Sequence, residues 1–512
     1  MTTLEELDEY VLDGKFHEAT ESFCRLLLED HSLPELTLHT MTTAAPYLHV
    51  PSHEKLLENG EFRNVNYDHT MLGIRAGMAL SPWLSKIEKN LGIIQGIYYV
   101  PQGLDVWGQL ECGFPGHYAR EQERCPENEL GHELHRYFED QEPLPDGSVE
   151  ERFERMFQAL TVGDKITSYR IFLSLAAQPE CRDRLRNTML FASIIDQQEY
   201  NSFRRVRHIG HKAIRTRAMF DIADWIGWDR ARPFFYIGVP DICNAPIFHS
   251  LYDHASFLLN LNFKGTQFRI METNSIPLSE REQDCLIGKI LAGDPTDVTE
   301  CITEFLKNEK APQSISDAVS IAHATHSVEK IRSPIAYTVP MHSFDYANVV
   351  NYWLRHFHNP HQVKAVYLSA WFVTDTIREV DAYPDISGTT KPNPDAQQKW
   401  ADGVALSLLL RKLEDAIFKQ DPSAAVALVR SYISRTRARK DLIRMLSHCA
   451  GKYQGDAHIF RNACSVIEEY RLNSATPRRK DILLEFWAHY LSFYKKRTLG
   501  TECYDLYHKY FG

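Results

Sequence analysis

Four short stretches place a histidine beside a carboxylate or a second histidine, each near the expected start or turn of a helix. The first is Asn66-Tyr67-Asp68-His69, ahead of an apolar run. Asp68 suits a helix N-cap. His69 then falls in the first turn, near the positive end of the helix dipole, which favours the neutral imidazole that a metal needs. The second stretch carries Asp196, Glu199, Arg204, Arg205, Arg207, His208, His211 and Lys212. His208 and His211 are three apart and share a helix face. Carboxylate plus two histidines is a ligand set of non-haem iron sites. The same basic residues also suit an anionic group or acidic neighbours.

The third stretch is His323-Ala324-Thr325-His326, followed by Tyr337 and His342. Small residues separate the first two histidines on a helix whose other positions are apolar, so both are expected to face the interior. A buried imidazole needs partners, which a metal or a polar network around Asp345 or Glu329 can supply. The fourth stretch, Asp456-Ala457-His458, repeats the logic of the first. Weaker clusters read as surface or helix breaks. His132-Glu133-Leu134-His135 lacks the HExxH spacing of a zinc protease. His356, His358 and His361 flank the break at Asn359-Pro360. His249 and Asp253-His254 offer a further histidine pair, but in the reverse of the His-then-Asp order that phosphohydrolases use.

The elements that must position these side chains read as helices. Apolar residues recur with helical period at 3–29, 69–90, 150–176, 203–227 and in a series from 283 to 496. Strand signals are confined to 92–100 and Phe263–Met271. The expected fold is all-α: packed helical hairpins forming one large body over residues 1–512, with long covering loops. The proline-rich loop 381–395 is a candidate sub-boundary, and the Gly/Pro-rich stretch 100–147 is an alternative one. The loop 100–147 is expected to cover the histidine cluster, with Trp107, Phe114 and Tyr118 walling an apolar pocket.

Composition narrows the function. With 512 residues, 44% hydrophobic and 24% charged, the chain can bury a large core. A net charge of -11 argues against a dedicated nucleic-acid binder. No apolar run reaches the ~18 residues of a membrane span. The 10 cysteines form no CxxC pair and read as reduced thiols of a cytoplasmic chain, and the acidic N-terminus lacks a signal-like apolar segment. Dinucleotide, P-loop, hydrolase-elbow and covalent-haem motifs are missing.

The stretch DQQEYNSFRRVRHIGHKAIRTRAMFDIADWIGW, Asp196 to Trp228, resembles a segment of uncharacterised, largely helical bacterial proteins. AHATHSVEKI and DAHIFRNACSVIEEY are similar to later segments of that group. VNYDHTMLGIRAGMAL resembles questin oxidase-like proteins, in which a His-rich helical body carries out oxygenation, although the denser His-Asn-His run of that family has no counterpart here.

These residues point to a metal-dependent oxidoreductase or oxygenase acting on a small organic substrate. Its metal is non-haem iron, with manganese, copper or zinc as alternatives. The candidate ligands are His69, Glu199, His211, His323, His326, His342 and His458, more than one ion needs. Asp68 would orient His69 or act as base, and Tyr337 is the candidate proton donor. The competing readings are a zinc or manganese hydrolase, a metal-free oxygenase or isomerase with histidine bases, and a non-catalytic helical scaffold. A metal site is expected to bring together at least four of His69, His211, His323, His342 and His458; two or fewer would favour the scaffold or a metal-free reading.

Overall fold

The computed structural model describes residues 2–48, 55–56, 62–63, 70–101, 141–195, 210–243, 250–332, 338–382, 404–453, 457–493 and 500–512. Over these residues the chain is all-α, as expected. It opens with α1 (Leu4–Leu12), α2 (Phe16–Leu28), α3 (Leu33–Leu48), α4 (Thr70–Leu80) and α5 (Leu91–Tyr98). Next come α6 (Val149–Val162), α7 (Lys165–Ala176), α8 (Arg182–Ile195), α9 (His211–Ile226), α10 (Arg232–Ile242) and α11 (Ser250–Phe263). The series continues with α12 (Ile270–Thr273), α13 (Glu280–Ala292), α14 (Pro295–Lys307), α15 (Pro312–Lys330), α16 (Thr338–His356) and α17 (Gln362–Ala382). It closes with α18 (Leu406–Lys419), α19 (Pro422–Arg435), α20 (Lys440–Lys452), α21 (Ala457–Leu472), α22 (Pro477–Phe493) and α23 (Glu502–Phe511). A two-residue antiparallel pair, Lys55–Leu56 with Phe62–Arg63, is the one sheet among the described residues.

Local sequence sets many of the ends. Thr3 with Glu6, Ser148 with Glu151 and Ser279 with Glu282 form reciprocal capping boxes that satisfy two orphan donors each. Gly163 and Gly293 close their helices in the left-handed region. Sequential helices pair as hairpins, α4 on α5, α6 on α7 and α18 on α19. Long-range contacts then bring α21 onto α4, α15 and α19 onto α22, and α23 onto α2.

Both expected strands are overturned. Residues 91–98 form α5, and Phe263–Met271 spans a helix end, a turn with left-handed Lys264 and Gly265, a short 3-10 turn and the start of α12. In α5 the glycines do the positioning. Gly92 and Gly96 face Gly77 and Gly73 of α4, and a Cβ on Gly77 would lie 2.4 Å from the Gly92 carbonyl carbon. Only bare backbone lets these two helices cross so closely.

The apolar core divides into two clusters. α4, α15 and α16 contribute to both: Ile74, Val319 and Val350 to the first, Ala76, Ile321 and Phe344 to the second. Polar and charged side chains of these helices and of α21 are buried alongside. Among the described residues, no helix is long and apolar enough to cross a membrane.

Candidate metal centre

Four helices distant in sequence close a ring: α4 packs on α9, α9 on α16, α16 on α21, and α21 on α4. Side-chain contacts fix their directions. Asp345 of α16 meets Arg461 and Asn462 of α21, and one to two turns later Asn351 meets Glu469. Those two helices therefore run parallel. On α9 and α16, His211 meets His342 and Arg217 meets Asn348 at 3.0 Å, again in parallel order. For α4, Arg75 reaches Cys464 at 2.9 Å. Further along, Met78, Ala79 and Trp83 share a cleft with Asp224 and with Ile467, Arg471 and Leu472. The C-terminal ends of α4, α9 and α21 thus lie together, and all four N-terminal ends lie at the other end.

The offsets are informative. Arg217 is six residues after His211, and Asn348 six after His342. Arg75 is six after position 69, and Cys464 six after His458. The Arg217–Asn348 contact sits about 9 Å along the bundle from His211 and His342, at 1.5 Å per residue.

At the N-terminal end His211 and His342 face each other with Nε2 atoms 3.0 Å apart. Their ring centroids are 4.5 Å apart and their planes are at 77°. His342 is buried and His211 half-buried. His211 is the first residue of α9, entered from Gly210 at φ 85°. A Cβ at Gly210 would strike the Tyr346 side chain at 2.9 Å, so glycine is needed for both the backbone turn and the close approach.

Below the histidines runs a layer of buried ion pairs. The Arg217 guanidinium holds the Glu468 carboxylate in a two-pronged grip and lies 3.7 Å from the Tyr352 ring centroid. Arg75 pairs with Asp221 at 2.7 Å and with Glu468 at 3.7 Å. Arg355 bridges Asp317 and Glu469, whose oxygens also take Asn351 and Asn473. Burial pushes the Glu468 carboxyl up, but Arg217 and Arg75 outweigh it and hold it at about 2. The Glu468 carboxylate is held in its charged form by these pairings against the cost of its burial. On the far side of the layer, at the C-terminal ends, lies the cleft of about 660 Å³ that Arg75, Trp83, Arg217, Glu468 and Arg471 help to line.

The remaining sequence candidates fall as follows. Asp68, His69, Glu199 and Tyr337 lie outside the described residues, as does the side chain of His458. Of the loop expected to cover the site, 102–140 lies outside them too, with His132 and His135. His323 and His326 are both buried, at 2% exposure each, as their small neighbours imply. They do not join the His211–His342 pair. His323 donates through Nε2 to the Pro340 carbonyl, leaving Nδ1 buried without a partner. Burial lowers its pKa to about 3. His326 instead meets Asp381 at 3.2 Å. His254 lies by Trp371 in a separate cleft, and His361 stacks on Phe191. Among the described residues, no group of three or more His, Cys, Asp or Glu side chains is arranged to hold a metal.

Of the ion-pair layer, only the polar network around Asp345 is anticipated by the sequence, and it is built on Arg461 and Asn462 rather than on His323 or His326. The layer's one visible signal is polar residues inside apolar helices: Arg75 within MLGIRAGMAL, and Asp345, Asn348, Asn351 and Arg355 at helical spacing. No family model, curated protein or solved structure matches the chain.

Proposed function

We propose that the protein is a metal-dependent oxidoreductase, an oxygenase that binds non-haem iron at the N-terminal end of this bundle and acts on a small organic substrate. The observation that carries it is the shape of the His211–His342 contact. In a collinear N–H···N hydrogen bond 3.0 Å long, ring centroids about 1.15 Å behind each nitrogen would stand about 5.3 Å apart. Two imidazoles converging on one ion at about 2.1 Å, with nitrogens 3.0 Å apart, subtend about 90°, and their centroids fall about 4.6 Å apart. The 4.5 Å separation in the structure is nearer the converging arrangement than a collinear bond. Imidazole nitrogens placed this way would hold a divalent ion, and non-haem iron is the one proposed.

His69, directly before α4, and His458, second residue of α21, are the proposed further ligands. Their helices belong to the same parallel ring and share the six-residue offset. Glu199, upstream of α9, is the proposed carboxylate. Asp68 keeps its proposed role in orienting His69, and Tyr337 in proton donation. His323 and His326 are left out of the ligand set, since their Nε2 atoms are engaged elsewhere. Iron held by imidazoles with open positions binds and activates O₂.

Metal analysis after anaerobic loading with Fe(II) tests this. Wild-type protein is expected to retain iron through gel filtration. His211→Ala and His342→Ala are expected to lose it while melting as cooperatively as metal-free wild type, and His254→Ala to keep it. Equal iron in wild type and both variants, or none in wild type, overturns the proposal. Loaded protein that turns over its substrate without O₂ points to the hydrolase reading instead.

A further inference from the structure

We infer that Arg461 receives a carboxylate group inside the bundle, and that the substrate of the proposed metal centre is therefore an organic acid. Arg461 lies on α21 with 2% of its surface exposed. Its Nε donates to Asp345 Oδ2 at 2.9 Å. The other Asp345 oxygen is taken by Asn462 Nδ2 at 3.1 Å. The outer edge of the guanidinium is left over: Nη1 and Nη2 are both buried and neither has a hydrogen-bond partner. A guanidinium does not shed its proton, so this edge keeps its charge and its donors whatever surrounds it.

The other arginines of the layer are arranged differently. Arg217 grips Glu468 with both end nitrogens, Arg355 spends its own on Asp317 and Glu469, and Arg75 reaches Cys464 and Glu468. Among the described residues, Arg461 alone leaves both end nitrogens buried and unpartnered. Two parallel N–H donors spaced on one planar edge match the two oxygens of a carboxylate, which binds them as a fork. The location ties this edge to chemistry. Asp345 and Arg461 each lie three residues, under one helical turn, beyond His342 and His458. An acid anchored on Arg461 is thus held within about one helical turn of His342. The anchoring rests on Arg461 alone; its reading as substrate binding rests on the metal-centre proposal.

Sodium benzoate and sodium acetate are the probes, titrated calorimetrically into metal-free protein so that metal loss cannot mimic anion loss. Wild type is expected to bind benzoate saturably, and Arg461→Lys, which keeps the charge beside Asp345 but not the fork, to bind at least about tenfold more weakly. Arg478→Ala, a surface control, is expected to bind like wild type. Should Arg461→Lys fail to fold, the double variant Asp345→Asn/Arg461→Gln removes the pair together and is expected to bind no benzoate. Absence of binding to wild type by both probes overturns the inference, as does unchanged affinity in the Arg461 variant that folds. Iron loss in His342→Ala with benzoate binding intact separates the two sites; iron absent from wild type with benzoate still bound by Arg461 sinks the metal centre and leaves the acid site standing.

Discussion

Replacing Glu468 by glutamine tests whether the charged layer holds the four helices in register. Glu468 is 17% exposed and is gripped by Arg217 with Arg75 behind it. Its carboxyl stands at about 2, against an ordinary 4.5. A depressed carboxyl stabilises the fold above the unfolded pKa and loses that contribution as pH falls toward the folded one. The shift of about 2.5 units corresponds to about 3.4 kcal/mol at pH 7, falling to about 2 kcal/mol at pH 3.5. For 512 residues the unfolding entropy is about 1.1 kcal/mol/K, so Glu468→Gln should lower the melting temperature by about 3 °C at pH 7. By pH 3.5 the deficit should shrink to about 2 °C, because the wild-type side chain is then losing its own advantage. Scanning calorimetry at both pH values checks this. A deficit that stays constant or grows on acidification would mean that Glu468 acts by packing, and the ion-pair account of the layer would be wrong.

A second cluster titrates in the opposite sense: His448 sits between Glu88 at 3.0 Å and Glu414 at 3.5 Å, tying α20 to the segment between α4 and α5 and to α18. Burial opposes the imidazolium, but Glu414 and Glu88 outweigh it and raise the pKa to about 9. Its contribution is complete below about 6.5 and fades as pH rises through 9, so His448→Gln should cost about 2 kcal/mol near pH 6 and little above pH 10, read by melting temperature. Gly77→Ala should be far worse than Gly73→Ala. The new Cβ meets Gly92 backbone at 2.4 Å in the first case and Gly96 Cα at 3.3 Å in the second, so soluble yield and melting temperature should separate them. Equal behaviour of the two would refute the close helix crossing.

Periodicity made most of the helices legible, α6 and the buried α15 among them, but passed over α3, α8, α10 and α11 and misread α5. α5 is buried all round, so Ile93, Ile94, Ile97 and Tyr98 read as strand, and the glycine spacing that marks a helix crossing makes sense only once α4 is known. The burial of His323 and His326 was legible because alanine and threonine separate them; their partners, a carbonyl and Asp381, were not. The ion-pair layer was hidden for a different reason. An arginine in an apolar run looks like a solvated face until its partner is known, and the carboxylate partners of Arg75 and Arg217, Asp221 and Glu468, lie 146 and 251 residues away. The parallel ring that sets His211 against His342 is likewise a tertiary fact.

That parallel ring has an electrostatic consequence for the site. Each helix presents roughly half a positive charge at its N-terminus, felt mainly within the first turn. His211 opens α9 directly, whereas His342 is the fifth residue of α16 and lies past the strongest part of that field. That field repels a cation. Among the described residues Arg461 is paired with Asp345, so together they add no net charge, while the outer edge of the guanidinium stays without an acceptor. A divalent ion held by histidines alone would therefore sit in an electropositive pocket. Neutrality requires anions at this end of the bundle: a carboxylate ligand such as Glu199, and an acidic substrate on Arg461. Iron affinity should accordingly rise when benzoate is bound, by the reciprocity of coupled sites, and benzoate affinity should rise by the same factor when iron is bound. Titrating each in the presence of the other measures that factor twice. Two titrations that agree on a factor of one would show the anion and the metal to be electrostatically independent, and the acid on Arg461 would then lie too far from the ion to be its substrate.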